Sequence, residues 1–312
     1  MRFDGALLSQ CRFLAGPTAA GKTEVSLELA DRLNAEIVAL DSMTLYRGMD
    51  IGTAKPGPAA RARIPHHLLD ILDPHDECTL ADYLRIAERA CREILDRGRT
   101  PLFVGGTGLY LRAVLRGIFQ GPPADWNIRH RWEAFVSHEG EIALHARLAT
   151  VDPELANRLH PHDVRRVIRG LEVFESTGTP LSRQQQQPAR PITERPQQVP
   201  WLFPPRAWLY QRIDERVQEM FERGLVAEVE HLVAAGPPLS RTARQALGYR
   251  EVLDHLERGT PLPDTMALIQ TRTRQFAKRQ HTWFRNLEEC TPVEISGDES
   301  PVTLAERLLQ FA

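Results

Sequence analysis

Two rhythms of apolar and polar positions run along this chain, and they set out its elements. Cys11-Arg12-Phe13-Leu14-Ala15 and Ala35-Glu36-Ile37-Val38-Ala39-Leu40 are short, mostly apolar runs that predict strands. Between them Val25, Leu29, Ala30 and Leu33 recur at helical spacing, so a helix begins near Lys22. Leu80 to Arg97 carries Leu80, Tyr83, Leu84, Ala87, Ala90, Cys91, Ile94 and Leu95 on one face and stops at Gly98. Pro101-Leu102-Phe103-Val104 predicts a third strand, followed by a helix from Leu109 to Leu115. Alternation of strand and helix predicts an α/β core with a parallel sheet.

The pattern changes at Gly121-Pro122-Pro123. From about residue 120 to 204 amphipathic helical segments dominate, strand signals are few, and a proline-rich run from Pro188 to Pro205 closes the stretch. This predicts a helical insertion at 120–204 between two parts of one core, 1–119 and 205–312. Gln184 to Gln187 reads as a loop or a frayed helix end. Trp201-Leu202-Phe203 predicts the strand that returns to the sheet, and Tyr210 to Arg223 a helix ended by Gly224. The last long helix runs from Thr265 to Asn286, with Met266, Ile269, Phe276 and Trp283 expected inward. A short tail helix from Val302 to Phe311 is expected to turn Leu304, Leu308 and Leu309 inward.

The loop between the first strand and its helix is Gly16-Pro17-Thr18-Ala19-Ala20-Gly21-Lys22-Thr23, which fits the P-loop pattern G-x-x-x-x-G-K-[ST]. Backbone N–H groups at a helix N-terminus attract phosphate, Lys22 adds a point charge, and the Thr23 hydroxyl can join the shell of Mg²⁺. Asp41 follows the second strand, where ligands of such sheets bind. After the third strand, Gly105-Gly106-Thr107 stands where many P-loop hydrolases place a metal-holding Asp.

Totals exclude more than they identify. With 312 residues, 42% of them hydrophobic, a sizeable core is available. A formal net charge of −2 gives no global nucleic-acid signal, so any such signal is local. Four scattered cysteines form no zinc or disulfide pattern, the first ten residues make a poor signal peptide, and no run is long enough to span a membrane. Together these predict a cytoplasmic protein. The local signals are Arg158, Arg165, Arg166 and Arg169 in the insertion, and Arg272, Arg274, Lys278, Arg279 and Arg285 in a segment, Thr265 to Arg285, without Asp or Glu. A one-sign face of this kind favours nucleic acid. Arg212 and Arg216 share a helix face and either clamp a phosphate or pair with Asp214 or Glu219.

In order along the chain, Gly16–Thr23, Asp41-Ser42, Tyr46-Arg47-Gly48-Met49-Asp50-Ile51-Gly52-Thr53-Ala54-Lys55-Pro56, Gly105-Gly106-Thr107-Gly108-Leu109-Tyr110, Arg169-Gly170-Leu171-Glu172-Val173, Gly248-Tyr249-Arg250-Glu251 and Lys278–Arg285 resemble the bacterial tRNA dimethylallyltransferases. That resemblance implies a P-loop core with a helical insertion that embraces the anticodon stem-loop. The implied activity is transfer of a dimethylallyl group from dimethylallyl pyrophosphate to N6 of the adenosine 3′ to the anticodon, with Mg²⁺, by a monomer. The P-loop would hold the donor's pyrophosphate, although the same pattern serves ATP elsewhere. Lys22, Arg212 and Mg²⁺ on Thr23 would steady the leaving group, Asp41 would take the N6 proton, and Thr107 would line the channel. The family's tRNA-contacting stretches match Asp41, Ser42, Met43 and Thr44; Thr107; Arg129; Arg165, Arg166, Val167, Ile168 and Arg169; Gln245, Ala246, Leu247, Gly248, Tyr249 and Arg250; and Lys278, Arg279, Gln280, His281, Thr282, Trp283, Phe284 and Arg285.

Three positions depart from the family pattern: Ala20 stands for a common Ser, Gly108 for a larger apolar residue, and Gly170 for Ala. Gly108 is expected to loosen the channel wall, and Gly170 to soften its helix by roughly 1 kcal/mol. Two other readings compete: a P-loop kinase of a nucleoside or small metabolite, and a non-catalytic RNA-binding protein.

Overall fold

The computed structural model describes residues 1–185, 190–196 and 198–311. Gln186 and Gln187 of the polar run lie outside the described residues, as do Pro188, Ala189, Gln197 and Ala312. The first part of the core runs α1 (Gly5–Leu8), β1 (Arg12–Ala15), α2 (Lys22–Arg32), β2 (Ala35–Leu40), α3 (Pro58–Arg63), β3 (His66–His67), α4 (Leu80–Asp96), β4 (Thr100–Gly105) and α5 (Gly108–Arg116). Four helices follow: α6 (Trp126–Val151, broken at Gly140), α7 (Pro153–Arg158), α8 (Val164–Thr177) and α9 (Leu181–Gln184). The chain then runs β5 (Val199–Phe203), α10 (Arg206–Glu222), α11 (Leu225–Ala234), α12 (Arg241–Arg244), α13 (Tyr249–Arg258), α14 (Leu262–Arg285), β6 (Cys290–Glu294) and α15 (Pro301–Leu308).

The strands form one parallel sheet in the order β3-β2-β4-β1-β5-β6. Every residue of β2 is buried, as befits a parallel strand covered on both faces. α4 starts on a capping box between Thr79 and Asp82 and ends where Gly98 takes φ 71°, which only glycine adopts cheaply. β3 and β6 escape sequence reading because both are edge strands: β3 has two residues, and β6 carries Pro292, which an edge tolerates.

Contacts divide the chain into two compact units: Met1 with Ile118–Ala189, and Arg2–Gly117 with Arg190–Ala312. The return to the core therefore precedes β5. The expected boundary at residue 204 would have cut β5 away from its partners in the sheet.

Within the helical unit, α6 and α8 pack around Leu144, Leu148, Leu155, Val167, Ile168 and Leu171. A Cβ on Gly170 would come within 2.8 Å of Leu148 and 2.7 Å of Leu155. The glycine is a close-packing position, so the gain expected from alanine there is offset by a clash. Val167 and Ile168 are core side chains, which corrects their placement on an RNA-contacting face.

Candidate active site

β1 delivers the chain into the P-loop, and Gly21 at φ 82° turns it into α2. Ala19 holds a left-handed φ of 63° without being glycine, a sparsely populated conformation at a phosphate-type loop. Lys22 Nζ donates to Pro17 O at 2.7 Å. The Thr18 N–H donates to Gln280 Oε1 at 2.9 Å, and Gln280 Nε2 donates to Gly106 O at 2.9 Å. One buried amide on α14 thus fixes the P-loop to the turn after β4. The Thr107 N–H donates to Leu40 O at 3.2 Å, which sets that turn beside Asp41. Although Thr107 stands at the N-cap of α5, its hydroxyl makes no capping bond and lines the pocket.

Asp41 Oδ1 accepts from Met43 N at 2.8 Å and Thr44 N at 3.3 Å. Among the described residues these are its only hydrogen bonds, which leaves Oδ2 open to a ligand. Burial pushes the Asp41 carboxyl up, against the two N–H donors and the charge of Lys22. Burial and the nearby Arg216 push the Lys22 ammonium down to about 7, against the pull of Asp41 and Glu24. Arg216 Nη1 donates to Thr18 Oγ1 at 3.4 Å, and burial lowers its guanidinium too. A site that penalises its own cations is a site shaped for an anion.

These groups share one cavity of about 590 Å³. Its walls are Thr18–Thr23, Asp41–Thr44, Gly105–Thr107, Arg216, Gln245–Gly248 and Arg250, with Arg272, Phe276, Arg279 and Gln280 from α14. The structure brings the P-loop, Asp41 and Thr107 into one cavity with Gln245–Gly248 and Arg250, a stretch that the resemblance had assigned to RNA contact.

Several expectations are corrected. Arg212 is exposed and sits 5.7 Å from the Trp208 ring centroid, so the arginine at the P-loop is Arg216, one turn later. The buried stripe of α14 is Thr265, Ile269, Thr273, Ala277, Gln280 and Phe284, which keeps the expected Ile269, while Met266, Phe276 and Trp283 are only partly buried beside it. Phe284 is core, and Tyr249 is fully buried, so neither side chain reaches a docked RNA. The acid-free helix finds acids elsewhere: Arg272 pairs with Glu251 and Arg274 with Asp214. Trp283 fills the space that Gly108 leaves, 2.6 Å from where its Cβ would stand, so the glycine tightens the packing of α5 on α14 rather than loosening a channel. In the tail, Leu304 and Leu308 are buried but Leu309 is exposed.

Lys278, His281, Thr282 and Arg285 line a separate groove with Phe203 and Tyr210. In the helical unit Arg165 and Arg166 are exposed, while Arg129 and Arg169 close on the buried Glu172. Arg216 and the bridging role of Gln280 were the chief functional features not assigned from sequence. The 212/216 spacing carried the first signal but not the choice between them.

The IPP transferase family model matches residues 44–287. The tRNA dimethylallyltransferase of Geobacter metallireducens is 48% identical over 284 residues, covering 90% of this chain and 91% of that one. That of Rhodopirellula baltica is 46% identical, covering 96% and 94%. The crystal structure of the full-length tRNA isopentenylpyrophosphate transferase of Bacillus halodurans matches with a TM-score of 0.68 at 38% identity, covering 96% of each chain. A eukaryotic dimethylallyltransferase captured acting on tRNA matches with a TM-score of 0.75 at 27% identity, covering 92% of this chain and 74% of that one. With the P-loop, Asp41 and Thr107 gathered in one pocket and these likenesses running along nearly the whole chain, the protein belongs to the IPP transferase family.

Proposed function

We propose that the pocket transfers a dimethylallyl group from dimethylallyl pyrophosphate to N6 of the adenosine 3′ to the anticodon of tRNA, releasing pyrophosphate. The observation that carries this reading is the joining of Lys22 and Arg216 to Asp41 and Thr107 in one cavity. The pyrophosphate lies on the P-loop N–H groups with Lys22 and Arg216 over it. The N6 lone pair attacks the C1 carbon of the dimethylallyl group. The C1–O bond breaks, and its electron pair leaves with the pyrophosphate, whose growing charge the two cations stabilise. Asp41 Oδ2 accepts the N6 proton, and its raised affinity for protons suits that task. Thr107 orients the amine. Holding the weak nucleophile in line contributes as much as the base, and the target base leaves its stack to enter.

Mg²⁺ fits the donor set. Among the described residues no group of three or more His, Cys, Asp or Glu could hold a metal by itself, and the Thr23 hydroxyl at the pocket wall makes no protein hydrogen bond. Thr23 and the pyrophosphate oxygens would hold the ion, which would offset the leaving group's charge. No described helix is long and apolar enough to cross a membrane; that the protein meets tRNA as a monomer in the cytoplasm is part of this proposal.

The test is to incubate the protein with Mg²⁺, dimethylallyl pyrophosphate and tRNA without ATP, then weigh the digested nucleosides. A nucleoside heavier by one dimethylallyl group is expected. Asp41→Ala should keep tRNA affinity and lose most transfer. Consumption of ATP with a small acceptor, and no prenylated nucleoside, would replace this reading with the kinase.

A further inference from the structure

The carboxylate of Glu228, in the first turn of α11, does not line the cavity, yet it holds two of the cavity's walls at once. On one side it accepts from three consecutive backbone N–H groups: Asp50 at 3.0 Å, Ile51 at 2.8 Å and Gly52 at 3.3 Å. On the other it accepts from Tyr249 Oη at 2.5 Å. Gly52, Thr53, Ala54 and Pro56, continuing from the first contact, form one wall; Gln245 to Gly248 and Arg250, around Tyr249, form the other.

Met49 and Ile51 of the loop also share an apolar cluster with Ala246, Leu247 and Tyr249, and Glu228 adds charged hydrogen bonds to both sides of that packing. Gly52 lies against the buried Tyr249 ring, with Cζ 2.7 Å from where a Cβ would stand, so the two walls touch through a glycine and an aromatic face. At its far end the loop is anchored separately. The nearly inaccessible Lys55 Nζ reaches Tyr46 O, Asp50 Oδ1 at 2.7 Å and Asp70 Oδ1 at 2.6 Å, while Arg61 holds the other oxygen of Asp70 at 2.6 Å. Lys55 fixes the loop's base; Glu228 fixes how far its pocket-lining tip stands from the entry to α13. Three aligned N–H donors and a phenol are a strong demand for a charged acceptor, which a neutral amide meets poorly.

We propose that Glu228 is a positioning residue that sets the width of the pocket between the Gly52–Ala54 wall and the Gln245–Arg250 wall, and through it the fit of the RNA strand carrying the target adenosine. This rests on the transfer reading above for which substrate lies between those walls. The P-loop end is built from other elements, so the donor's fit does not depend on Glu228.

Steady-state transfer kinetics on Glu228→Gln and Tyr249→Phe test it, varying tRNA and dimethylallyl pyrophosphate separately. Glu228→Gln should raise KM for tRNA about 10-fold, the scale of losing charged hydrogen bonds, with kcat and the donor KM within about 2-fold. Tyr249→Phe, which keeps the ring and loses one bond, should raise KM for tRNA about 3-fold. The double variant should match Glu228→Gln alone, because both changes break one clasp. Amide exchange at Asp50 to Gly52 should quicken in Glu228→Gln. A merely structural role would shrink the active fraction, lowering kcat and leaving both KM values in place; that result, or an unchanged KM for tRNA in both variants, overturns the proposal. Absence of product from the unmodified protein would instead fault the transfer reading.

Discussion

In the helical unit, Arg129 and Arg169 close on the fully buried carboxylate of Glu172, with contacts of 2.9 Å and 2.6 Å, and the Asp125 N–H adds a third at 2.6 Å. Burial alone would raise that carboxyl, but the two guanidiniums and the N–H outweigh it and hold it below its ordinary range. Beside the P-loop the arrangement is reversed. Lys22 and Arg216 repel one another, and among the described residues neither forms an ion pair. Cations that hold a fold arrive with their acid; cations that serve a ligand are left short of one. The difference separates arginines that sequence alone groups together, because a basic cluster reads the same whether or not a buried acid from the same or another element completes it.

The sharpest break of this comparison is Lys22→Met. Transfer should fall about 10³-fold, since one preorganised charge on the leaving group is lost. Stability should rise. Lys22 titrates at about 7 in the fold and near 10.5 when unfolded. Between those values the unfolded chain holds a proton that the fold has released, so the parent protein gains stability as pH rises through that window. Below 7 the penalty of the buried ammonium is complete. Melting temperatures should therefore favour the variant most below pH 7 and converge toward pH 10.5; a variant that melts earlier at pH 6.5 would show that Lys22 supports the fold.

Glu172→Gln is the mirror experiment. Removing the acid from two buried-side cations should cost the helical unit about 3–5 kcal/mol, read by denaturant unfolding with amide exchange in α6 and α8. Next comes the pair on α10. Arg216→Ala should lower kcat roughly 10- to 100-fold, whereas Arg212→Ala, exposed against Trp208, should stay within about 2-fold; equal effects would mean that the helix turns otherwise in solution. The smallest effect belongs to Lys278→Ala with Arg279→Ala. Each lost phosphate contact takes about 0.7–0.9 from the slope of log affinity against log salt. A slope unchanged in tRNA-binding titrations would make both residues plain solvated charges.

The sequence by itself determined the P-loop, the strands β1, β2 and β4, the helices α2, α4, α10 and α14, and the place of Asp41 at a strand end. Those signals are local: a glycine at a positive φ, an apolar run, a 3.6-residue repeat. What it left open was which residue along a helix face meets the site. Arg212 and Arg216 share a face one turn apart, and only packing puts Arg216 at the P-loop and sets the polar Thr273 and Gln280 into the buried stripe of α14 beside Ile269. Gln280 looked like one polar residue in a basic helix until packing set it between Thr18 and Gly106, 262 and 174 residues away in the chain. Glu228 carried no signal at all, since a glutamate in the first turn of a helix is ordinary until a distant loop offers it three N–H groups. Tertiary structure decided these roles because they rest on pairings between residues far apart in the chain, where neither partner leaves a local mark.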